Sequence, residues 1–299
     1  MNRRSLLLGG LLVCACAPSR VAAPEAHENG PAWADIFDTT PELYAVVRPQ
    51  TLKNDALYGA FWNVLLRAAE VRGFTRGSTM VEAVGSAKEI VVGLNRGDDA
   101  AIVLRGVSAN LDPLAMNDES GHPLFRLLDD RGKVPEYALL DVRSAEIGSL
   151  FVLPDRTWVG ALGDARMRAR QAFLGPRGRP APRIDREALV ALRLGGQAAR
   201  AFDRGPRLSL VTQKMTSITF ALEPNRKGLL VSLSYGDPDA SARGELQAKR
   251  LVEDLAKDET RFGWLKDATV KYEGDVVHVR AHLPPRLLEE LPRASFTDL

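Results

Sequence analysis

Short apolar runs joined by tight polar links set the strongest limit on how this 299-residue chain folds. Glu89-Ile90-Val91-Val92-Gly93-Leu94 and Ala100-Ala101-Ile102-Val103-Leu104-Arg105 flank the turn-rich segment Asn95–Asp99, a β-hairpin pattern. Ile218–Leu222 and Leu229–Tyr235 repeat it across Pro224–Gly228. A third hairpin turns at Gly274-Asp275, with Val277, Val279 and Ala281 on one side and His278, Arg280 and His282 on the other. Further strands are expected at Leu43–Arg48, Tyr137–Val142, Leu150–Leu153, Thr157–Ala161 and Leu189–Leu194. Hairpins join strands antiparallel, so the sheet content is expected to be mainly antiparallel.

Helices are expected between these runs. Asp55–Arg72 carries Leu57, Phe61, Leu65 and Ala68 on one stripe and Tyr58, Trp62, Leu66 and Ala69 on the next, a helix packed on two sides. Pro123–Asp129 reads as a short amphipathic helix, and Asp164–Phe173 as a helix with Asp164 at its N-cap. Asp237-Pro238 places an N-cap before a proline at the first helical position. That helix runs to about Lys257, with Ala248, Leu251, Val252 and Leu255 facing inward. Its pairs Glu245/Lys249 and Glu253/Lys257 stand in the favourable i,i+4 order.

Gly175-Pro176-Arg177-Gly178-Arg179-Pro180-Ala181-Pro182 breaks both periodicities. The expected fold class is therefore α+β in two lobes, residues 33–174 and 185–299, joined by a linker over 175–184. Each lobe is expected to be a mainly antiparallel sheet with helices packed on one face.

The N-terminus is an address. Arg3 and Arg4 precede an apolar stretch, Leu6–Val13, too short to be a stable membrane anchor. Val13-Cys14-Ala15-Cys16 then resembles a bacterial lipobox, which makes Cys16 the expected lipidation site; Cys14, preceded by Val13, is the weaker alternative, and ordinary cleavage near Ala22-Ala23 a third reading. Asn2-Arg3-Arg4-Ser5-Leu6-Leu7 also resembles a twin-arginine export signal. Residues 1–16 are read as signal and 17–32, rich in Pro, Ala and polar residues, as a tether. Ala17 after the cysteine resembles outer-membrane sorting. The two cysteines are Cys14 and Cys16, so the rest of the sequence carries no disulfide, thiolate zinc site or cysteine nucleophile.

The hairpin Ile218–Tyr235, the Ala- and Leu-rich helix after Asp237 and the segment Trp158–Leu174 resemble a diffuse group of uncharacterised envelope lipoproteins found in myxobacteria and their relatives. The resemblance implies an envelope location and no particular catalytic residue.

Chemistry-bearing motifs are sparse. The sequence contains no H-E-x-x-H, G-x-S-x-G, S-x-x-K, Walker A or G-x-G-x-x-G pattern, and no cofactor is expected. Of the four histidines, His27 lies in the tether and His122 in a polar loop. The row His278, Arg280, His282 is expected to be a solvated outer face, not a metal or catalytic site, because an arginine is a poor neighbour for a cation. Asp98-Asp99 and Asp129-Asp130 read as solvated loop acids. Arg166, Arg168 and Arg170, continued by Arg177, Arg179 and Arg183, read as a solvated basic helix end. A net charge of +2 and the absence of interleaved aromatics argue against a nucleic-acid partner.

These readings favour a lipid-anchored periplasmic protein acting as a non-enzymatic binding or assembly module, its partners the membrane, through the lipid, and another envelope protein. A carrier of an apolar ligand, its cavity lined by Tyr58, Phe61 and Trp62, is the alternative, and an unrecognised hydrolase a third.

Overall fold

Each apolar run read as a strand lies in a strand, and all of them join one sheet. The structure, a computed structural model, describes residues 41–71, 77–95, 99–129, 134–174, 188–196, 210–224 and 228–287. Its strands are β1 (Leu43–Val47), β2 (Glu89–Leu94), β3 (Ala100–Arg105), β4 (Phe125–Asp129), β5 (Glu136–Leu140), β6 (Glu146–Val152), β7 (Trp158–Leu162), β8 (Val190–Gly195), β9 (Met215–Glu223), β10 (Gly228–Tyr235), β11 (Thr269–Glu273) and β12 (Val276–Ala281). Their order is β11-β12-β10-β9-β8-β1-β2-β3-β7-β6-β5-β4, antiparallel throughout. The fold is α+β with an antiparallel sheet.

The expectation of a separate sheet for each half is corrected by β1. This strand pairs with β2 on one side and with β8 on the other, so the N- and C-terminal halves share one ladder. The halves repeat one another within it. Leu43↔Leu94 and Val47↔Ile90 have their counterparts in Val190↔Leu222 and Leu194↔Ile218. Ile90↔Leu104 matches Leu233↔Ile218, and Leu104↔Trp158 matches Leu233↔Val277. Thus β1-β2-β3-β7 and β8-β9-β10-β12 are the same four-stranded unit in the same register. The pair Ala45↔Leu192 lies on the pseudo-twofold axis relating them.

The helices are α1 (Pro49–Asn54), α2 (Gly59–Val71), α3 (Ser78–Ser86), α4 (Ala165–Leu174), α5 (Pro238–Ala256) and α6 (Glu259–Phe262). Leu52, Phe61, Trp62, Leu65 and Ala83 of α1–α3, with Tyr58 between α1 and α2, pack on Val47, Ile90, Leu104, Trp158, Val190 and Leu222. Ala240 and Ala248 of α5 pack on Leu43, Leu194, Leu233 and Val277 of the same sheet face. We call this the helical face. Helix α4 departs from the one-face expectation: Ala165 and Ala169 join Tyr44, Val46, Val91, Val103 and Val159 on the opposite face, where small side chains let helix and sheet approach.

Local corrections have physical reasons. Pro49 does not merely stop β1; its fixed φ suits a helix start, and it opens α1. Asp55 ends α1, and its carboxylate accepts the Leu57 and Tyr58 N–H groups, which separates α1 from α2. The segment expected as a helix at Pro123–Asp129 is the edge strand β4. Leu124, Leu127 and Leu128 have helical spacing, but seven residues are too few to decide, and pairing with β5 prevails. Asp237 does cap α5, its Oδ1 2.6 Å from the Ala240 nitrogen. Lys249 reaches Glu245 at 2.9 Å, whereas Lys257 pairs with Asp254 at 2.6 Å rather than with Glu253. No helix among the described residues is long and apolar enough to cross a membrane.

Candidate binding site on the sheet face opposite α5

The basic helix expected to be solvated is instead a set of ion pairs. Arg168 Nη2 lies 2.5 Å from Asp99 Oδ2, and Asp99 Oδ1 also accepts the Ala165 N–H at the start of α4. Asp99 is therefore a fixed anchor of that helix and not a solvated loop acid. Arg170 grips Glu136 through Nε at 2.9 Å and Nη2 at 2.6 Å, while the Ser149 hydroxyl donates to the same carboxylate at 2.5 Å. Arg166 bridges Glu136 and Glu146. Arginine runs look alike in sequence whether or not carboxylates from distant strands meet them.

Glu136 is 8% exposed, and burial works to raise its carboxyl. Arg170, Ser149 and Arg166 outweigh that and hold it below its ordinary value of 4.5. A depressed carboxyl contributes stability fully above its unfolded value, which is lost as pH falls through the folded one. Glu136→Gln should cost about 2 kcal/mol at pH 7, below the buried-pair range because Arg170 is partly solvated. Urea unfolding should show the gap to wild type closing below pH 4.5.

The more telling arrangement is in the C-terminal half, on the face opposite α5. Cross-strand partners there run Tyr44↔Arg193, Arg193↔Thr219, Thr219↔Ser232, Ser232↔His278 and His278↔Lys271. Directly opposed antiparallel residues point to one side about 5 Å apart, so these groups form a continuous polar row over six strands beginning at Tyr44. Ser232 is 3% exposed and Thr219 9%, while Arg193 and His278 are half-buried. Ser232 Oγ lies 3.0 Å from His278 Nδ1. Beside the row, Arg280 Nη1 pairs at 2.7 Å with Glu223, which is buried.

Arg193 differs from the other arginines on this face. Burial pulls its guanidinium below the ordinary value, and no carboxylate among the described residues offsets that cost. His278 is likewise held below the usual histidine range by burial, which outweighs the nearby Glu273; Arg280 acts in the same direction as burial.

The row His278, Arg280, His282 needs partial correction. Val277 and Ala281 do face the helical core, as strand alternation implied. Arg280 is bound to a buried glutamate and His278 to a buried serine, so this side is not simply solvated. His282 lies beyond the end of β12 and is exposed. His122 is exposed in its loop, 3.5 Å from Asp118. Tyr58, Phe61 and Trp62 are core residues, the Tyr58 hydroxyl donating to the Leu283 carbonyl at 3.2 Å. Arg3, Arg4, Cys14, Cys16, His27, Asp98, Asp130, Arg177, Arg179, Arg183 and the 175–184 segment lie outside the described residues.

Arg193 was not singled out from sequence, although a signal existed. It is the one charge inside the apolar run Leu189-Val190-Ala191-Leu192-Arg193-Leu194.

No family model and no curated protein matches the chain. Two crystal forms of TP0453 are similar to this chain in fold. Form III gives a TM-score of 0.54 at 12% identity, covering 90% of this chain and 97% of that one. Form I gives 0.54 at 11%, covering 89% and 98%. The likeness is one of fold alone.

Proposed function

We propose that this is a lipid-anchored envelope protein that works as a non-enzymatic binding module, its ligand or partner taken on the polar row of the sheet face opposite α5. The binding reading is carried by Arg193, a half-buried guanidinium that the described fold supplies with no counterion. The anchoring reading rests on Val13-Cys14-Ala15-Cys16 and on the resemblance to envelope lipoproteins. The chain between Cys16 and Pro41 sets a reach of about 80 Å at full extension, room for the sheet to stand clear of the bilayer. Ala17 favours the outer membrane. We retain the divisions 33–174 and 185–299 as two wings of one sheet, joined through 175–184.

The hydrolase alternative draws on one observation, the 3.0 Å contact between Ser232 and His278, a nucleophile–base distance. Against it, Ser232 is buried in mid-strand rather than presented on a strained turn. A fluorophosphonate serine probe should leave Ser232 unlabelled; labelling lost on His278→Gln would establish the hydrolase instead. For the anchor, Cys16→Ser should shift the protein from the membrane fraction to the soluble periplasm, and Cys14→Ser should not. An unlipidated mature N-terminus beyond Ala17, read by mass spectrometry, refutes lipidation.

A further inference from the structure

The internal repeat supplies a control for the polar row. Under the pseudo-twofold relation Arg193 occupies the place of Val46, Thr219 that of Val91, Ser232 that of Val103 and His278 that of Val159. One half therefore fills this row with four valines, each buried. The other fills the same row with a guanidinium, two hydroxyls and an imidazole. The next strand outward continues the contrast, with Phe151 opposite Val159 and Lys271 opposite His278. The backbone is content with apolar side chains at these positions, so the fold itself does not demand the polar set.

Four substitutions in one cross-strand line also share a chemistry. Arg193 brings a fork of N–H donors suited to two oxygens at once, and Thr219 and Ser232 bring rotating hydroxyls between it and His278. The charge present at neutral pH in this stretch is positive, from Arg193 at one end and exposed Lys271 at the other. Of the described acids on this face, Glu223 is held by Arg280, and Glu273, two residues beyond Lys271 on β11, acts on the His278 end of the row and not on Arg193. A half-buried guanidinium with no anion among the described residues is costly to keep, which is the mark of a site kept for binding.

We infer that the row Arg193–Thr219–Ser232–His278 is an oxyanion site that takes a phosphate group, with Arg193 as the bidentate donor and the two hydroxyls completing the cradle. This rests on the binding-module reading above and names its ligand class. More than two donors converge from four strands, which suits the three free oxygens of a phosphate monoester, or the two free and two ester oxygens of a diester, better than the two of a carboxylate. Such a group comes either on a small soluble ester or on a phospholipid at the membrane surface.

The test uses the whole mature chain and thermal unfolding at pH 7.5. The probes are inorganic phosphate and glycerol 3-phosphate, against sodium chloride of equal ionic strength. Vesicles of phosphatidylglycerol, against phosphatidylcholine, form the lipid arm. Saturating phosphate ester should raise the melting temperature by at least about 3 °C at hundredfold excess over Kd. A rise with soluble ester assigns the site to a soluble phosphate compound. Binding to phosphatidylglycerol vesicles alone, lost in the variants below, assigns it to a lipid head. Arg193→Met should abolish either response and itself melt higher than wild type, since it removes a half-buried cation that has no carboxylate partner among the described residues. The fourfold valine variant (R193V, T219V, S232V, H278V) should stay folded, as its counterpart row does, and bind no phosphate. If no probe binds while Arg193→Met melts higher, the phosphate assignment fails and the binding reading stands. If Arg193→Met melts lower, the arginine is a structural residue and both readings fail. A response that persists in the fourfold variant also overturns the assignment.

Discussion

Made as two separate chains, residues 33–174 and 185–299 should be recovered as one complex, and neither should fold alone. The reason is where the halves meet. Every residue of β1 is buried, and its backbone is shared between β2 in its own half and β8 in the other. Removing the C-terminal half would leave Leu43-Tyr44-Ala45-Val46-Val47 as a bare apolar edge, a template for aggregation. The core is shared as well. Leu189, Val190, Leu222 and Leu283 pack with Leu52, Tyr58, Phe61 and Trp62 in one cluster. Each such side chain contributes about 1.5–3 kcal/mol by leaving water, so the interface is worth far more than a docking contact between finished domains. Co-expression with a tag on one fragment, followed by size exclusion and a melt, checks this. A monomeric 33–174 fragment with its own cooperative transition would return the protein to two independent lobes. The same logic covers proteolysis: a cut within 175–184 should produce two bands on a denaturing gel and one species in native buffer.

Ala45→Pro should leave no folded protein to purify. Ala45 lies on the pseudo-twofold axis, 2% exposed, in a strand paired on both sides. Proline there removes an N–H from a ladder that has no free edge nearby, and its ring crowds the preceding residue. The lost bond, the stranded carbonyl and the distortion together cost about 4 kcal/mol or more, a large part of what a domain has to spare. Ala45→Gly, which keeps the N–H, should cost only about 1 kcal/mol and serves as the control. Circular dichroism of refolded material distinguishes the two; a folded Ala45→Pro protein would mean that β1 is not the seam of the sheet.

What could be read from the sequence follows the range of each signal. The hairpins at 89–105 and 218–235 were legible because alternation and turn residues are local, and the structure places β2, β3, β9 and β10 over those runs. Asp237-Pro238 was legible for the same reason. Leu124–Leu128 was misread because its spacing suits both periods, and the deciding partner, β5, is a separate run of the chain. The joining of β1 to β8 has no local trace at all: Leu43–Val47 reads the same whichever strand it meets. The arginines of α4 show the same limit, since Glu136 and Asp99 come to them from 34 and 69 residues away. At the candidate site, Arg193 stood out only as a charge among Leu and Val, and its meaning appeared once register set it against Thr219 and, by symmetry, against Val46.

The pairing of β1 with β8 also sets a timetable. Tyr44 meets Arg193, a closure across 149 positions of chain, so the central ladder cannot form until nearly two-thirds of the protein has emerged. Loop closure of that span must come before its contacts reward it, and such topologies fold slowly. Through that interval the earliest strand to emerge is also the stickiest, fully apolar and lacking one neighbour. A chaperone that shields residues 43–47 should therefore raise the yield of native protein more than one acting on any later strand, because no later event in synthesis leaves so complete an apolar edge waiting so long.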